Sequence, residues 1–331
     1  MRDFNLRSDL TRTVINGFAL PLGIGPGRIA APVQGYTVSY TPGEEDDPDT
    51  YAFHVVISHE RLPALIDQAF QLLPQVVFPI VEIGSRDAYR AVDVYLGEEP
   101  ISLREFRDTW RRYEHILIED ITLGAGANSE EPFIEVFLDE WKGLSIHVPL
   151  SLRDEVEAML HEFGLEEVAH TWPPDVEESE SELHIRHVID APEEAAPELL
   201  DELLLHLRHE WRLELNIDPD SNVDDKGRRL GMTLWQAVLI VESEKDQQVA
   251  YASVWVTAGS LTQAEDLIAQ AMEAYPQWRI AEIFTLDRVA FDERPDELSN
   301  LAPRRNEAAV HAVIIEPWPQ AEPESTPPPT S

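Results

Sequence analysis

The chain has 331 residues, 43% of them hydrophobic, so it is long enough for about two domains with buried cores. Its 63 acidic and 25 basic residues give a formal net charge of -38, and such a surface repels the phosphate backbones of nucleic acids. The absence of cysteine excludes disulfides, thiol catalysis and cysteine-bound metals. We therefore expect no nucleic-acid partner, and we expect the acid excess to attract basic proteins or cations.

Residues 1–50 are rich in glycine and proline and are predicted to form an extension that lies over a domain surface. Asp3 and Asp9 stand where a signal peptide has basic residues, and Pro21 interrupts the apolar run that follows. No apolar run approaches the roughly 18 residues that a membrane-spanning helix needs. The sequence therefore predicts a soluble, cytoplasmic protein with no membrane association.

A first α+β domain is predicted over residues 51–172, where short apolar runs alternate with amphipathic helical patterns. Their order, β-α-β-β-α-β, is that of a ferredoxin-like unit. The predicted elements of this unit are a strand over 52–58, a helix over 61–73, strands over 76–83 and 91–96, a helix from the capping box Ser102-x-x-Glu105, and a strand over 115–122. A hairpin over 133–139 and 144–148, a helix from Ser151 to Gly164 and a strand over 167–171 complete the domain.

A second α+β domain is predicted over residues 183–316, after an acidic, proline-rich linker at 173–182. Its clearest unit is a hairpin over 235–241 and 249–257, followed by a helix that starts at Ser260 and a strand over 280–284. This unit resembles the hairpin and helix of the first domain, and both duplication and chance similarity remain open. Residues 317–331 are predicted to be a disordered proline-rich tail. The predicted fold class is two α+β domains with mainly antiparallel sheets.

Cofactor and metal motifs fail when they are checked position by position. In the glycine loop that starts at Gly23, Arg28 stands where a dinucleotide-binding fingerprint needs glycine or alanine, and Pro32 and Gly35 stand where its helix should run. The acidic loop that starts at Asp218 imitates a calcium loop, but Arg229 stands where a bidentate glutamate belongs. His206 and His209 are three apart on a predicted helix and are assigned to its solvent side. We expect no catalytic residues, no metal and no cofactor.

Two polar segments are candidates for binding a ligand or partner. Residues 84–90 join two predicted strands and concentrate arginines, and residues 124–131 are predicted to form a glycine-rich flexible loop. The candidate residues in these segments are Ser85, Arg86, Asp87, Arg90, Asn128 and Glu131. The alternative is that both segments are turns held by arginine–carboxylate pairs.

Three functions are compatible with these features. The favoured hypothesis is a binding protein, and its sharpest form is an acidic, immunity-like antagonist of a basic protein partner. The second is a metal-assisted hydrolase that uses carboxylates near residues 124–135. The third is a structural, oligomer-forming protein whose strand faces, with Phe133, Phe137 and Trp255, pair between chains. The sequence leaves open both the oligomeric state and whether the chain is an enzyme.

Overall fold

A computed structural model describes residues 4–27, 31–43, 48–172, 184–192, 196–243, 248–302 and 306–317. It confirms the predicted α+β class, because helices accompany sheets whose named strands all pair antiparallel. The chain divides into two compact units. The first unit comprises residues 1–84 and 92–216, and the second comprises residues 85–91 and 217–331. No helix in the described parts of the chain is long and apolar enough to cross a membrane.

The first unit is built on a nine-stranded sheet. Its elements in chain order are β1 (Val14–Ile15), β2 (Phe18–Ala19), β3 (Gly35–Thr41), β4 (Thr50–Val56), α1 (Leu62–Ala69), β5 (Val76–Gly84), β6 (Val92–Gly97), β7 (Ile101–Ser102), α2 (Leu103–Leu117), β8 (Leu123–Ser129), β9 (Ile134–Leu138), β10 (Leu144–Pro149), α3 (Arg153–Glu162), α4 (Ala196–Trp211) and β11 (Leu213–Leu215). The main strand order is β11-β6-β5-β8-β9-β10-β4-β3, and β7 pairs with β5.

Helix α2 shows how local sequence determines the core of this unit. Ser102 Oγ accepts a hydrogen bond from the backbone N–H of Glu105, whose carboxylate accepts one from the Ser102 N–H, so the predicted capping box is present. The buried side of α2 includes Phe106 and Trp110, four residues apart. Both rings pack within about 6 Å of the Phe70 ring.

Three predictions for the first unit are wrong or not confirmed. The predicted strand over 115–122 is wrong, because the apolar stripe of α2 continues to Leu117 and β8 begins only at Leu123. The predicted strand over 167–171 is reduced to one isolated bridge between Glu167 and Tyr36. The ferredoxin-like arrangement is not confirmed, because β4 pairs with β3 and β10 and has no ladder with β6.

The second unit carries a four-stranded antiparallel sheet and one long helix. Its named elements are β12 (Thr233–Ser243), β13 (Val249–Ala258), α5 (Leu261–Met272), β14 (Trp278–Val289) and β15 (Ala309–Pro317), and the sheet order is β14-β12-β13-β15. Alternate residues of β12 and β13, such as Leu239 and Ala252, are buried with Ile268 of α5 in one core. Helix α5 therefore covers one face of this sheet.

The division of the chain differs from the predicted domain boundaries. The predicted linker at 173–182 and all but the first residue of the predicted tail lie outside the described residues. Residues 184–216 belong to the first unit, because Trp211 of α4 stacks on Phe106 of α2 at 5.0 Å between ring centroids. Residues 35–41 of the predicted extension form β3 of the sheet.

Candidate functional site

The segment 85–91 connects β5 to β6 and belongs to the second unit. Asp87 in this segment is buried, and Nε of Arg288 in β14 lies 2.9 and 2.7 Å from its two carboxylate oxygens. The backbone N–H of Arg288 also donates to Asp87, at 3.0 Å. The guanidinium lies within 6 Å of the ring centres of Tyr89 and Trp235. This aspartate therefore neutralises a buried arginine and holds the segment against β14.

Of the other predicted residues of this segment, Ser85 and Arg90 contact Asp87, and Arg86 lies at the surface. Ser85 Oγ accepts a hydrogen bond from the backbone N–H of Asp87 at 3.1 Å. Arg90 Nη1 lies 3.4 Å from an Asp87 oxygen, and Arg86 is exposed. The structure thus brings Ser85, Asp87 and Arg90 together. Their contacts are those of the alternative interpretation, a turn held by arginine–carboxylate pairs.

The loop that imitates a calcium site supports the same buried arginine. The side-chain oxygen of Asn222 accepts a hydrogen bond from Arg288 Nη1 at 2.8 Å, and its amide donates to the carbonyl of Gly231 at 2.6 Å. Asp224 accepts hydrogen bonds from the backbone and side chain of Arg228. Within the described ranges, no group of three histidine, aspartate or glutamate side chains is placed to hold a metal ion.

The predicted flexible loop at 124–131 is wrong for most of its length, because residues 123–129 form β8. Glycine is needed at 126: a Cβ there would lie 2.2 Å from the carbonyl oxygen of Val136 in β9. Asn128 is half-buried in the ladder and Glu131 is exposed in the following turn. The loop on which the hydrolase hypothesis depended is therefore a sheet strand, and its candidates belong to the first unit, whereas those of segment 85–91 belong to the second.

A carboxylate whose burial the sequence does not reveal lies just after α2. Glu119 accepts two hydrogen bonds from Arg12, one of them at 3.0 Å, and one from the backbone N–H of Leu22 at 2.7 Å. His59 Nε2 lies 3.1 Å from the same carboxylate. Burial raises the pKa of Glu119, but hydrogen bonds from His59 and Arg12 outweigh it and bring the pKa to about 2. Arg12 and Glu119 are 107 positions apart, so no local sequence pattern predicts that they pair.

A buried lysine occupies the turn between β9 and β10. Lys142 has a φ of 62° and is only 4% exposed, and its ammonium donates to the carbonyl of Leu123. Burial lowers its pKa to about 8, against the attraction of Asp120 and Asp139. Burial also raises the pKa of Asp139, which accepts a hydrogen bond from the Gly143 N–H at 2.7 Å. Shifted pKa values occur both in functional sites and in structural networks. Because the ammonium of Lys142 is enclosed by the protein, we interpret it as part of a structural network.

One sheet face of the second unit is not covered by α5 and carries several apolar side chains. We call it the open face, and its members are half-buried or exposed. They are Val238, Ile240, Tyr251, Ser253, Phe284 and Ile314.

The two aromatic rings of the open face meet above β12. Tyr251 in β13 and Phe284 in β14 have ring centroids 5.9 Å apart. Because their strands lie on either side of β12, the backbones are about 10 Å apart. The rings therefore lean toward each other over β12 and form a ridge on this face.

The row of the sheet that contains Ile240 and Tyr251 ends in a carboxylate on each side. Ile240 pairs with Tyr251 on one side and with Glu282 on the other, and Tyr251 pairs with Glu316. One row across the sheet is therefore Glu282, Ile240, Tyr251 and Glu316, with its two apolar members in the middle. Ile314, 42% exposed, lies in the next row.

The opposite end of the same sheet face is closed. Trp255, predicted to pair between chains, is 7% exposed and packs with Leu234 and Leu298. Phe133 and Phe137, named in the same hypothesis, are half-buried in the first unit. The structure therefore removes Trp255 from any exposed strand face.

Comparison of the chain with protein-family models, with curated proteins and with solved structures found no match.

Proposed function

We propose that the protein is a binding protein whose partner is a basic protein, and that it acts as an acidic, immunity-like antagonist of that partner. The observation that carries this proposal is the excess of 63 acidic over 25 basic residues. Such an excess accelerates encounter with a positively charged protein and makes the association sensitive to salt. It also disfavours association with other acidic proteins.

The contacts of the polar clusters support binding over catalysis. Asp87, Glu119 and Lys142 are the buried charged groups with the most specific environments, and each is held by groups of its own unit. Their polar contacts go to an arginine, to the backbone and, for Glu119, also to His59, as expected of groups that organise a fold. The open face has half-buried and exposed apolar side chains, and its row through Ile240 and Tyr251 ends at Glu282 and Glu316.

The proposal is tested by using the full chain as bait in native lysate at about 50 mM salt. At this ionic strength the Debye length exceeds the roughly 10 Å that it has at about 0.1 M, so attraction between charged surfaces is only weakly screened. Partners are identified by mass spectrometry, and the affinity of each is then measured with purified proteins as salt is raised. An unrelated bait of similar net charge removes proteins that bind any polyanion. We expect to recover a basic protein that binds this chain but not the control bait, and that binds more weakly at high salt. Recovery of the same proteins on both baits would contradict the proposal.

A further inference from the structure

We propose that the open face of the second unit is the surface that binds the partner, and that its occupant is a basic amphipathic helix. This inference rests on the proposed function, since it names the surface and the chemistry of the same partner. The occupant presents an apolar stripe to Ile240 and to the Tyr251–Phe284 ridge. Its lysine or arginine side chains pair with Glu282 on one side and Glu316 on the other.

The spacing of the row supports a helix. Glu282 and Glu316 stand at the two ends of a four-strand row, so their backbones are about 14 Å apart at ordinary strand separation. An α-helix with its side chains is about 10–12 Å wide. A helix along the strands therefore fits between the carboxylates, with the apolar pair Ile240 and Tyr251 beneath its centre. This is the geometry of an amphipathic helix bound by its apolar stripe.

The charge of the row selects a basic occupant. An apolar stripe alone would accept many helices, but one with acidic flanks would bring like charges together at Glu282 and Glu316. Glu316 is exposed and Glu282 is half-buried. A lysine or arginine beside each carboxylate would gain attraction at the rim and leave the apolar centre to exclude water. The row thus combines an attractive element with one that rejects acidic partners.

The test uses the full chain and a synthetic helical peptide of leucine and lysine, with the leucines on one side and lysines on both flanks. A peptide of the same composition in scrambled order has the same charge without the stripe. Binding is measured by titration calorimetry at about 150 mM salt, where exposed charges more than about 8 Å apart are screened. We expect the ordered peptide to bind at least about tenfold more tightly than the scrambled one, a difference of about 1.4 kcal/mol.

Paired charge reversals locate the site. Glu282→Lys with Glu316→Lys should weaken binding of the ordered peptide at least about tenfold. Asp266→Lys with Glu273→Lys makes the same change of net charge at an exposed position of α5 and at the exposed C-cap of this helix, on the opposite side of the sheet, and should weaken it less than about twofold. Circular dichroism establishes that each variant is folded. Equal weakening by the two pairs would overturn the assignment of the surface.

A neutral substitution tests the apolar part. Ile314→Ser removes an exposed apolar side chain from the open face and should weaken the ordered peptide about threefold to fivefold. Val310→Ser is the matched control, since Val310 is 39% exposed on the same strand and pairs with Val256, a core residue under α5. Unchanged binding in the Ile314→Ser variant would overturn the apolar contact.

The two proposals fail separately. If a basic protein is captured from lysate but Glu282→Lys with Glu316→Lys leaves its affinity unchanged, the surface is wrong and the function stands. If no basic protein is captured specifically, the proposed function fails, whatever the peptide does.

Discussion

Arg288 of β14 and Asp87 of the β5–β6 connection form a buried ion pair, with side-chain exposures of 3% and 0%. The two residues are 201 positions apart, yet Nε of Arg288 lies within hydrogen-bonding distance of both carboxylate oxygens. Asn222 and the carbonyl of Val223 accept hydrogen bonds from the same guanidinium. A segment inserted between two strands of the first unit is thereby made part of the second.

Asp87→Ala should destabilise the protein by about 3–5 kcal/mol, because it leaves Arg288 charged and buried without its counter-ion. Urea unfolding followed by tryptophan fluorescence measures the loss, since Trp235 adjoins the guanidinium. Asp87→Ala with Arg288→Met removes both charges and should recover part of the stability. A double variant as unstable as the sum of its single variants would show that the pair itself contributes no coupling.

Glu119→Gln should remove a pH-dependent part of the stability. The pKa of Glu119 is about 2 in the folded protein against 4.5 as the ordinary value, so the unfolded chain binds the proton more readily. The carboxylate therefore contributes about 3 kcal/mol above pH 4.5, and this contribution is lost as the pH falls from 4.5 toward 2.

The difference in unfolding free energy between the parent chain and Glu119→Gln, measured from pH 6 downward, isolates this effect. It should shrink as the solution becomes more acidic. Glu130→Gln, at an exposed position, is the control and should leave the acid profile unchanged. A Glu119→Gln difference that is constant with pH would contradict the lowered pKa.

Lys142→Met should remove a pH-dependent contribution of the same sign as that of Glu119, but in an alkaline window. The pKa of Lys142 is about 8 in the folded protein against 10.5 as the ordinary value. Between these two values the unfolded chain binds more protons, so stability of the parent rises with pH across this window. The gain amounts to about 3 kcal/mol at the upper end.

This gain is measured by thermal or urea unfolding at several pH values from 7 to 10.5. The unfolding free energy of the variant is subtracted from that of the parent, so that contributions from the titration of other groups cancel. Lys226→Met serves as the control, because Lys226 is exposed. The difference in unfolding free energy from the parent should depend on pH for Lys142→Met only. If this difference changes with pH in the same way for both variants, burial of the Lys142 ammonium is not its cause.

The elements that sequence reasoning predicted correctly carry local signals. Helix α2 has its capping box at Ser102 and Glu105, and the two long hairpins have alternating apolar residues. The buried pairs Asp87–Arg288 and Arg12–Glu119 join residues more than 100 positions apart, and a single sequence has no signal for such partners. The sequence therefore indicates that segment 84–90 is polar and rich in arginine, but the structural role of Asp87 can be read only from its contacts.

The open face was missed for a related reason. Alternation in β12 predicts a half-exposed strand, but the sequence does not show which faces a helix covers. Alternation along β13 places Trp255 on the face opposite α5, but the expected exposure is wrong, because Trp255 is buried there with Leu298. The apolar positions that α5 does not cover, such as Ile240 and Ile314, become apparent only when the strand order is known.

Gly126→Ala tests the glycine-rich segment that sequence reasoning took for a loop. A Cβ at this position would lie 2.2 Å from the carbonyl oxygen of Val136 and 2.6 Å from the Cα of Phe137. Both contacts are to backbone, so the clash cannot be relieved by turning a side chain, and β8 must move away from β9. We expect a loss of about 3 kcal/mol, at the upper end of overpacking costs.

Gly84→Ala is the matched control, since a Cβ at Gly84 has no described atom within 4 Å and the residue does not need a positive φ. It should be neutral or slightly stabilising, because alanine restricts the unfolded chain more than glycine does. In a flexible loop, Gly126→Ala would behave in the same way as Gly84→Ala. A large difference between the two variants in urea unfolding therefore distinguishes strand from loop, because only close backbone packing makes the methyl group costly.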